Sequence, residues 1–176
     1  MKVLETERLI LRPWTIDDLE DFYEYAKNPN IGPNAGWEPH SNKEDSKKIL
    51  ELFIEKDETW AIVYKENDKV IGSIGLHTDE KRNGINSNML GYVLSEEYWG
   101  KGIMTEAVKC VIKYAFEEIK LDILSVCHYT FNNRSKRVIE KCGFKYEGTI
   151  RCAKKLYDTR IVDEVCYSIL KEEYFN

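Results

Sequence analysis

The chain has little of what several large protein classes require. No apolar run approaches the roughly 20 residues that cross a bilayer, and the three histidines and five cysteines form no CxxC pair and no metal-ligand spacing. Cys110, Cys127, Cys142, Cys152 and Cys166 are odd in number and widely scattered, so neither a zinc module nor a disulfide framework organises this sequence. Reduced, mostly buried thiols and no metal are expected. Positive charge is short as well: 26 Lys and Arg against 31 Asp and Glu give a formal net charge of -5. That balance argues against broad, sequence-independent nucleic-acid binding. A local basic cluster at Arg151, Lys154, Lys155 and Arg160 reads as a solvated face. Met1 leads into LETERLILRPW rather than a basic segment and an apolar stretch, so no signal peptide, no membrane span and a cytoplasmic protein are the expectation.

What is present suits one soluble α/β domain over residues 1–176, with 43% hydrophobic and 32% charged residues. Residues 6–14 alternate as a strand ended by Pro13. Thr15 and Asp18 offer a capping box to a helix with the stripe Leu19, Phe22, Tyr23 and Ala26. Residues 28–40 hold three of the four prolines and read as a loop. Trp37 within it is either a core anchor or a wall of a substrate pocket. A second capping box, Ser41 to Glu44, opens a helix with the stripe Ile49, Leu52 and Phe53. Strands at 60–64, 70–76 and 90–94 follow with short polar links, as antiparallel neighbours. Beyond a central helix, residues 123–128 form a strand parallel to the one before that helix. Asn132 or Asn133 caps a short helix that Gly143 ends, and strands at 144–150 and 161–170 complete the sheet.

The informative stretch is 90–116, LGYVLSEEYWGKGIMTEAVKCVIKYAF. A strand passes through Gly100, Lys101 and Gly102 straight into a helix whose apolar residues, Ile103 to Phe116, recur at helical spacing. Such a turn leaves the first N–H groups of the helix pointing outward with the positive end of its dipole behind them, an arrangement suited to phosphate. It is no P-loop, because four residues between glycines followed by Lys-Ser/Thr never occur. Thr105 stands where a Rossmann turn needs its third glycine.

With YWGKGIMTEA and NNRSKRVIEKCGF both present, and TERLILRP at the start, the chain resembles the GCN5-related N-acetyltransferase (GNAT) superfamily. Within it, the sequence is similar to the branch of ribosomal-protein alanine and serine N-acetyltransferases. The resemblance implies an α/β fold with a mixed, mostly antiparallel twisted sheet of about seven strands and about four helices. Two central strands would be parallel and splayed around acetyl-CoA, the cosubstrate. It also implies that main-chain amides across Trp99, Gly100, Lys101, Gly102, Ile103, Met104 and Thr105 hold the pyrophosphate. Trp99 and Met104 depart from the family's Gln/Arg and Gly/Ala.

By the same resemblance, the amides of Val93 and Leu94 meet the pantetheine and the thioester carbonyl, where they would stabilise an oxyanion, and Asn132 contacts the pantetheine arm. Ile139 occupies the position where many relatives carry a Tyr acid, and Ser135 is the replacement. His77 and His128 end strands near the expected cleft and are the candidate bases. The implied activity is acetyl transfer to a primary amine by direct attack in a ternary complex, with a protein N-terminus as acceptor. The alternatives are a small amine (antibiotic, polyamine or amino acid) or a non-catalytic acetyl-CoA-binding sensor or scaffold. A homodimer through the 161–170 strand is possible if that strand is an edge.

Overall fold

The computed structural model describes residues 1–176. Eight strands form one sheet in the order β1-β2-β3-β4-β5-β6-β8-β7, where β1 is Leu4–Glu5, β2 Leu9–Arg12, β3 Thr59–Tyr64, β4 Lys69–Thr78, β5 Ser87–Leu94, β6 Ile123–Tyr129, β7 Lys145–Lys155 and β8 Ile161–Leu170. The helices are α1 Leu19–Ala26, α2 Gly32–Ala35, α3 Lys43–Lys56, α4 Ile103–Glu117, α5 Asn133–Lys141 and α6 Lys171–Phe175. No helix is long and apolar enough to cross a membrane. The chain divides into two compact units, Met1–Gly75 with Tyr92–Ala107, and Leu76–Gly91 with Val108–Asn176.

In the first unit, Trp14, Phe22, Tyr25, Ala26, Ile31 and Leu50 pack with Ala61, Val63 and Val70. The β2–β3 and β3–β4 ladders are antiparallel, with Leu11 opposite Ile62 and Trp60 opposite Ile74. Asp18 fixes the entry to α1: its carboxylate accepts from the Thr15 N–H at 2.8 Å and is gripped by both terminal nitrogens of Arg12.

In the second unit, β5 pairs with β6 in parallel from Ser87↔Ile123 to Leu90↔Val126, and β6 pairs antiparallel with β8 along its whole length. The parallel step needs a crossover, which α4 supplies. Its Ala107, Val108, Val111, Ile112, Ala115 and Phe116 are all buried, one apolar face at period 3.6. Burial of each large side chain is worth about 1.5–3 kcal/mol.

Several sequence expectations are corrected. The first predicted strand, 6–14, shortens to Leu9–Arg12 behind the small β1. The loop at 28–40 contains α2, with Pro at its start and Gly36 at φ 89° as its left-handed end. In α1 the buried face is Phe22, Tyr25 and Ala26 rather than the stripe through Tyr23. The cap of α3 is Asn42, whose side chain accepts from the Asp45 N–H, and Leu50 rather than Leu52 points inward. β8 is not an edge, since β6 and β7 flank it. The condition on which a dimer through residues 161–170 depended, an uncovered edge, is therefore not met.

Candidate active site

Gly100 and Gly102 both take left-handed backbone, with φ 74° and 77°, a region L side chains rarely adopt. The first helical backbone bond of α4 runs from the Glu106 N–H to the Gly102 carbonyl at 3.1 Å. The amides of Ile103 and Met104 therefore precede the hydrogen-bonded ladder, at the positive end of a 15-residue helix. A Cβ at residue 100 would meet nothing within 4 Å, and one at 102 would approach only the Arg8 guanidinium, at 3.7 Å. The turn is thus open on the side where its glycines face.

A brace with no local signature in the chain holds this turn. Glu106, in the first turn of α4, accepts from Thr6 Oγ1 at 2.6 Å, from the Arg8 N–H at 2.9 Å and from Arg8 Nε at 2.7 Å. The same guanidinium donates to the Lys101 carbonyl at 3.0 Å. Burial pushes the Glu106 carboxyl up, but the bonds from Thr6 and Arg8 outweigh it and hold the group below the usual carboxylate range. Arg8 thereby presents a cation beside the glycines while its partner carboxylate stays charged.

The end of β5 is equally fixed. Trp99 donates its indole N–H to the Leu94 carbonyl at 2.9 Å, and the Ser95 N–H bonds the Ile71 carbonyl at 2.7 Å. Gly72 permits the close approach: a Cβ there would overlap the Val93 carbonyl oxygen and crowd Leu94. Trp37 packs against the first unit's core, over Gly32 and 5.2 Å from the His40 ring, and stays only partly buried there.

The remaining predicted residues lie in the second unit. Asn132 caps α5, its Oδ1 accepting from the Ser135 N–H at 3.1 Å; this settles the choice between Asn132 and Asn133. Ser135 is half-exposed in the first turn. Ile139 is 1% exposed and is a core residue. His128 is buried; its Nδ1 lies 2.8 Å from the Tyr129 carbonyl, which selects the Nδ1–H tautomer, and Nε2 has no protein partner. His77 is half-exposed and lies against the backbone of β5, where a Cβ on Gly91 would stand 3.3 Å from its Cδ2 and Nε2. Next to it, buried Asp79 accepts from Ser125 and Arg82 at 2.7 Å, and Arg82 reaches Glu147, pinning the 79–86 turn.

With this geometry in place, the sequence profile described as an acetyltransferase (GNAT) domain matches residues 8–145. The chain belongs to the GNAT acetyltransferase family. GNAT relatives span it from end to end. An uncharacterized N-acetyltransferase, p20 of Bacillus licheniformis, is 28% identical over 99% of both chains. YdaF of Bacillus subtilis, named as a candidate ribosomal N-acetyltransferase, is 38% identical over 58% of this chain and 55% of its own. A GNAT acetyltransferase structure from Bacillus anthracis superposes with a TM-score of 0.88 at 26% identity, covering 98% of this chain and all of the other.

As a GNAT enzyme the protein is an acyltransferase whose cosubstrate is acetyl-CoA. The residues present fit that molecule's diphosphate: main-chain donors behind two left-handed glycines, with Arg8 and Lys101 adjacent. The two motif departures lie in packing, Met104 buried and Trp99 against the core and Leu94. Binding through amides leaves those side chains free to vary.

Proposed function

We propose that this GNAT enzyme acetylates a protein N-terminal amine by direct attack in a ternary complex, the whole of residues 1–176 acting as one catalytic domain. The observation that carries the reading is the turn from Trp99 to Gly102, with both glycines left-handed at the start of α4. In this reading the amides from Gly100 to Thr105 hold the diphosphate of acetyl-CoA, which supplies the activated acetyl group. The amides of Val93 and Leu94 donate to the pantetheine arm and the acyl oxygen, and Asn132 meets the arm while it caps α5.

Ser135, half-exposed one turn before buried Ile139, gives its proton to the departing thiolate. His77, the half-exposed imidazole, takes the proton of the attacking amine directly or through water. His128 is buried and serves to position β6. An α-amine titrates near ~7.7–8.0 against ~10.4 for a lysine side chain, so the weak base that this reading assigns suits an N-terminus better than a lysine. The likeness to YdaF, named for the ribosome, supports the same acceptor. Trp37 is the proposed acceptor-side wall.

Release of free thiol from acetyl-CoA, measured with ribosomal-protein N-terminal peptides, polyamines, amino acids and aminoglycosides in parallel, tests this. Turnover should be fastest with a peptide N-terminus. Preference for a small amine overturns the acceptor, and binding of acetyl-CoA without turnover on any amine overturns the catalytic roles.

A further inference from the structure

Cys127 on β6 and Cys166 on β8 face each other directly in the antiparallel register, and their sulfurs lie 2.8 Å apart with the Cys127 thiol donating. We infer that this pair is an oxidation site: it takes hydroperoxides and closes to an intrachain disulfide.

Facing residues of antiparallel strands have Cα atoms about 4.5–5.5 Å apart, inside the roughly 4.4–6.8 Å that a disulfide spans. The sulfurs need to approach by only about 0.8 Å to reach the S–S length near ~2.05 Å. None of the five cysteines is bridged in the structure. Cys127 is half-buried and Cys166 is buried, so Cys127 meets a small oxidant and Cys166 is the shielded partner. Lys81 supplies the local cation: burial works against its charge, and Glu164, 3.3 Å from the ammonium, helps to outweigh it. Glu164 opposes a thiolate, and burial with the neighbouring thiol pushes Cys127 up. Cys127 is therefore slow to ionise, but the two sulfurs are correctly placed to resolve once one of them is oxidised.

The chemistry balances with a hydroperoxide as the named oxidant. The Cys127 sulfur attacks one peroxide oxygen, the O–O bond breaks, and sulfenic acid and one water (or alcohol) form. The Cys166 sulfur then attacks the Cys127 sulfur, the S–O bond breaks, and the disulfide and a second water form. Two thiols are oxidised by two electrons and the peroxide is reduced by two.

Glu164, Cys127 and Cys166 also form a triad of metal-ligating atoms, but their spacing disfavours a metal. Two thiolates at ~2.3 Å from a tetrahedral zinc stand about 3.7 Å apart, wider than the 2.8 Å here, and the Glu164 carboxylate already faces Lys81.

The reduced full-length protein, treated with hydrogen peroxide and mapped by non-reducing peptide mass spectrometry, tests the site. The expected result is one intrachain link, Cys127 to Cys166, with an intact mass lower by two hydrogens and full reversal by dithiothreitol. A link between other cysteines, or overoxidation of Cys127 with no link, overturns it. Zinc bound one to one in the untreated protein, and released by a mercurial, also overturns it. Mapping reads the native chain, so no variant has to fold for the answer to count.

Discussion

Gly102 holds φ 77° at the point where α4 begins, and any side chain there costs about 1–2 kcal/mol of backbone strain. Gly102→Val should fold with a small loss of stability and lose acetyl-CoA affinity at least tenfold by calorimetry, because the strain turns the amides of the first helical turn away. Unchanged affinity would remove the diphosphate assignment. The proposed proton-handling residues make a sharper contrast. Ser135→Ala should lower kcat about 10-fold or more and leave the KM for acetyl-CoA unchanged. His77→Asn should lower kcat/KM about 10- to 100-fold, the low end of general-base effects. His128→Asn disturbs the contact to the Tyr129 carbonyl at 2.8 Å in a buried place; it should cost about 1–3 kcal/mol of stability and change turnover less than His77→Asn does. The reverse order of the two histidines in steady-state kinetics would exchange their roles.

At the scale of elements, the unit that matters is the brace between the start of β2 and the start of α4. Arg8 bonds both Glu106 and the Lys101 carbonyl, so Arg8→Met removes a charged pair and loosens the turn at once. The pair is part-exposed, with side-chain exposures of 37% and 19%, which limits the stability loss to about 1–2 kcal/mol. The KM for acetyl-CoA should rise by more than that stability loss accounts for, and a normal KM in a destabilised variant would show the brace to be structural alone. The brace joins residues about a hundred positions apart and left no local trace in the sequence, whereas the glycine turn was legible because Gly100, Lys101 and Gly102 are adjacent. The parallel β5–β6 pair was legible because a helix-length crossover separates two strand patterns, and the cap of α5 only as far as Asn132 or Asn133. The inward face of α3 was misread because Ser46, a polar residue, occupies a buried position and bonds His40 at 2.7 Å; the true face runs through 46, 49, 50 and 53. The place of β8 was missed for another reason. Chain order does not say which strand of a hairpin docks on β6, although the apolar run of β8 against the charged, exposed β7 was the available signal.

Across the whole molecule, the shifted ionisable groups set how stability changes with pH, and they act in two windows. His40 is pushed down by burial, with Asp45 opposing only weakly. As pH falls below the ordinary histidine value near ~6.5, the unfolded chain takes up a proton at this site before the folded one does, and stability declines. Asp18, Asp79 and Glu106 are raised by burial, yet their hydrogen bonds and ion pairs with Arg12, with Ser125 and Arg82, and with Thr6 and Arg8 bring each below its ordinary value. A carboxylate depressed in this way contributes fully above its unfolded value, near ~3.9 for Asp and ~4.3 for Glu, and loses that contribution as pH falls through the lower folded value. Thermal melts should therefore show a shallow decline in Tm beginning below about pH 6.5 and a steeper one below about pH 4. His40→Gln should lower Tm at every pH but abolish the shallow limb, and Asp79→Asn should reduce the steep one. A flat Tm from pH 6.5 to 5 in the parent protein would show that His40 is not kept neutral by its burial. Because Glu106 belongs to the brace on the glycine turn, acetyl-CoA affinity should fall in the same acid window as the steep limb. Affinity unchanged through that window would separate the turn's geometry from the charge that holds it.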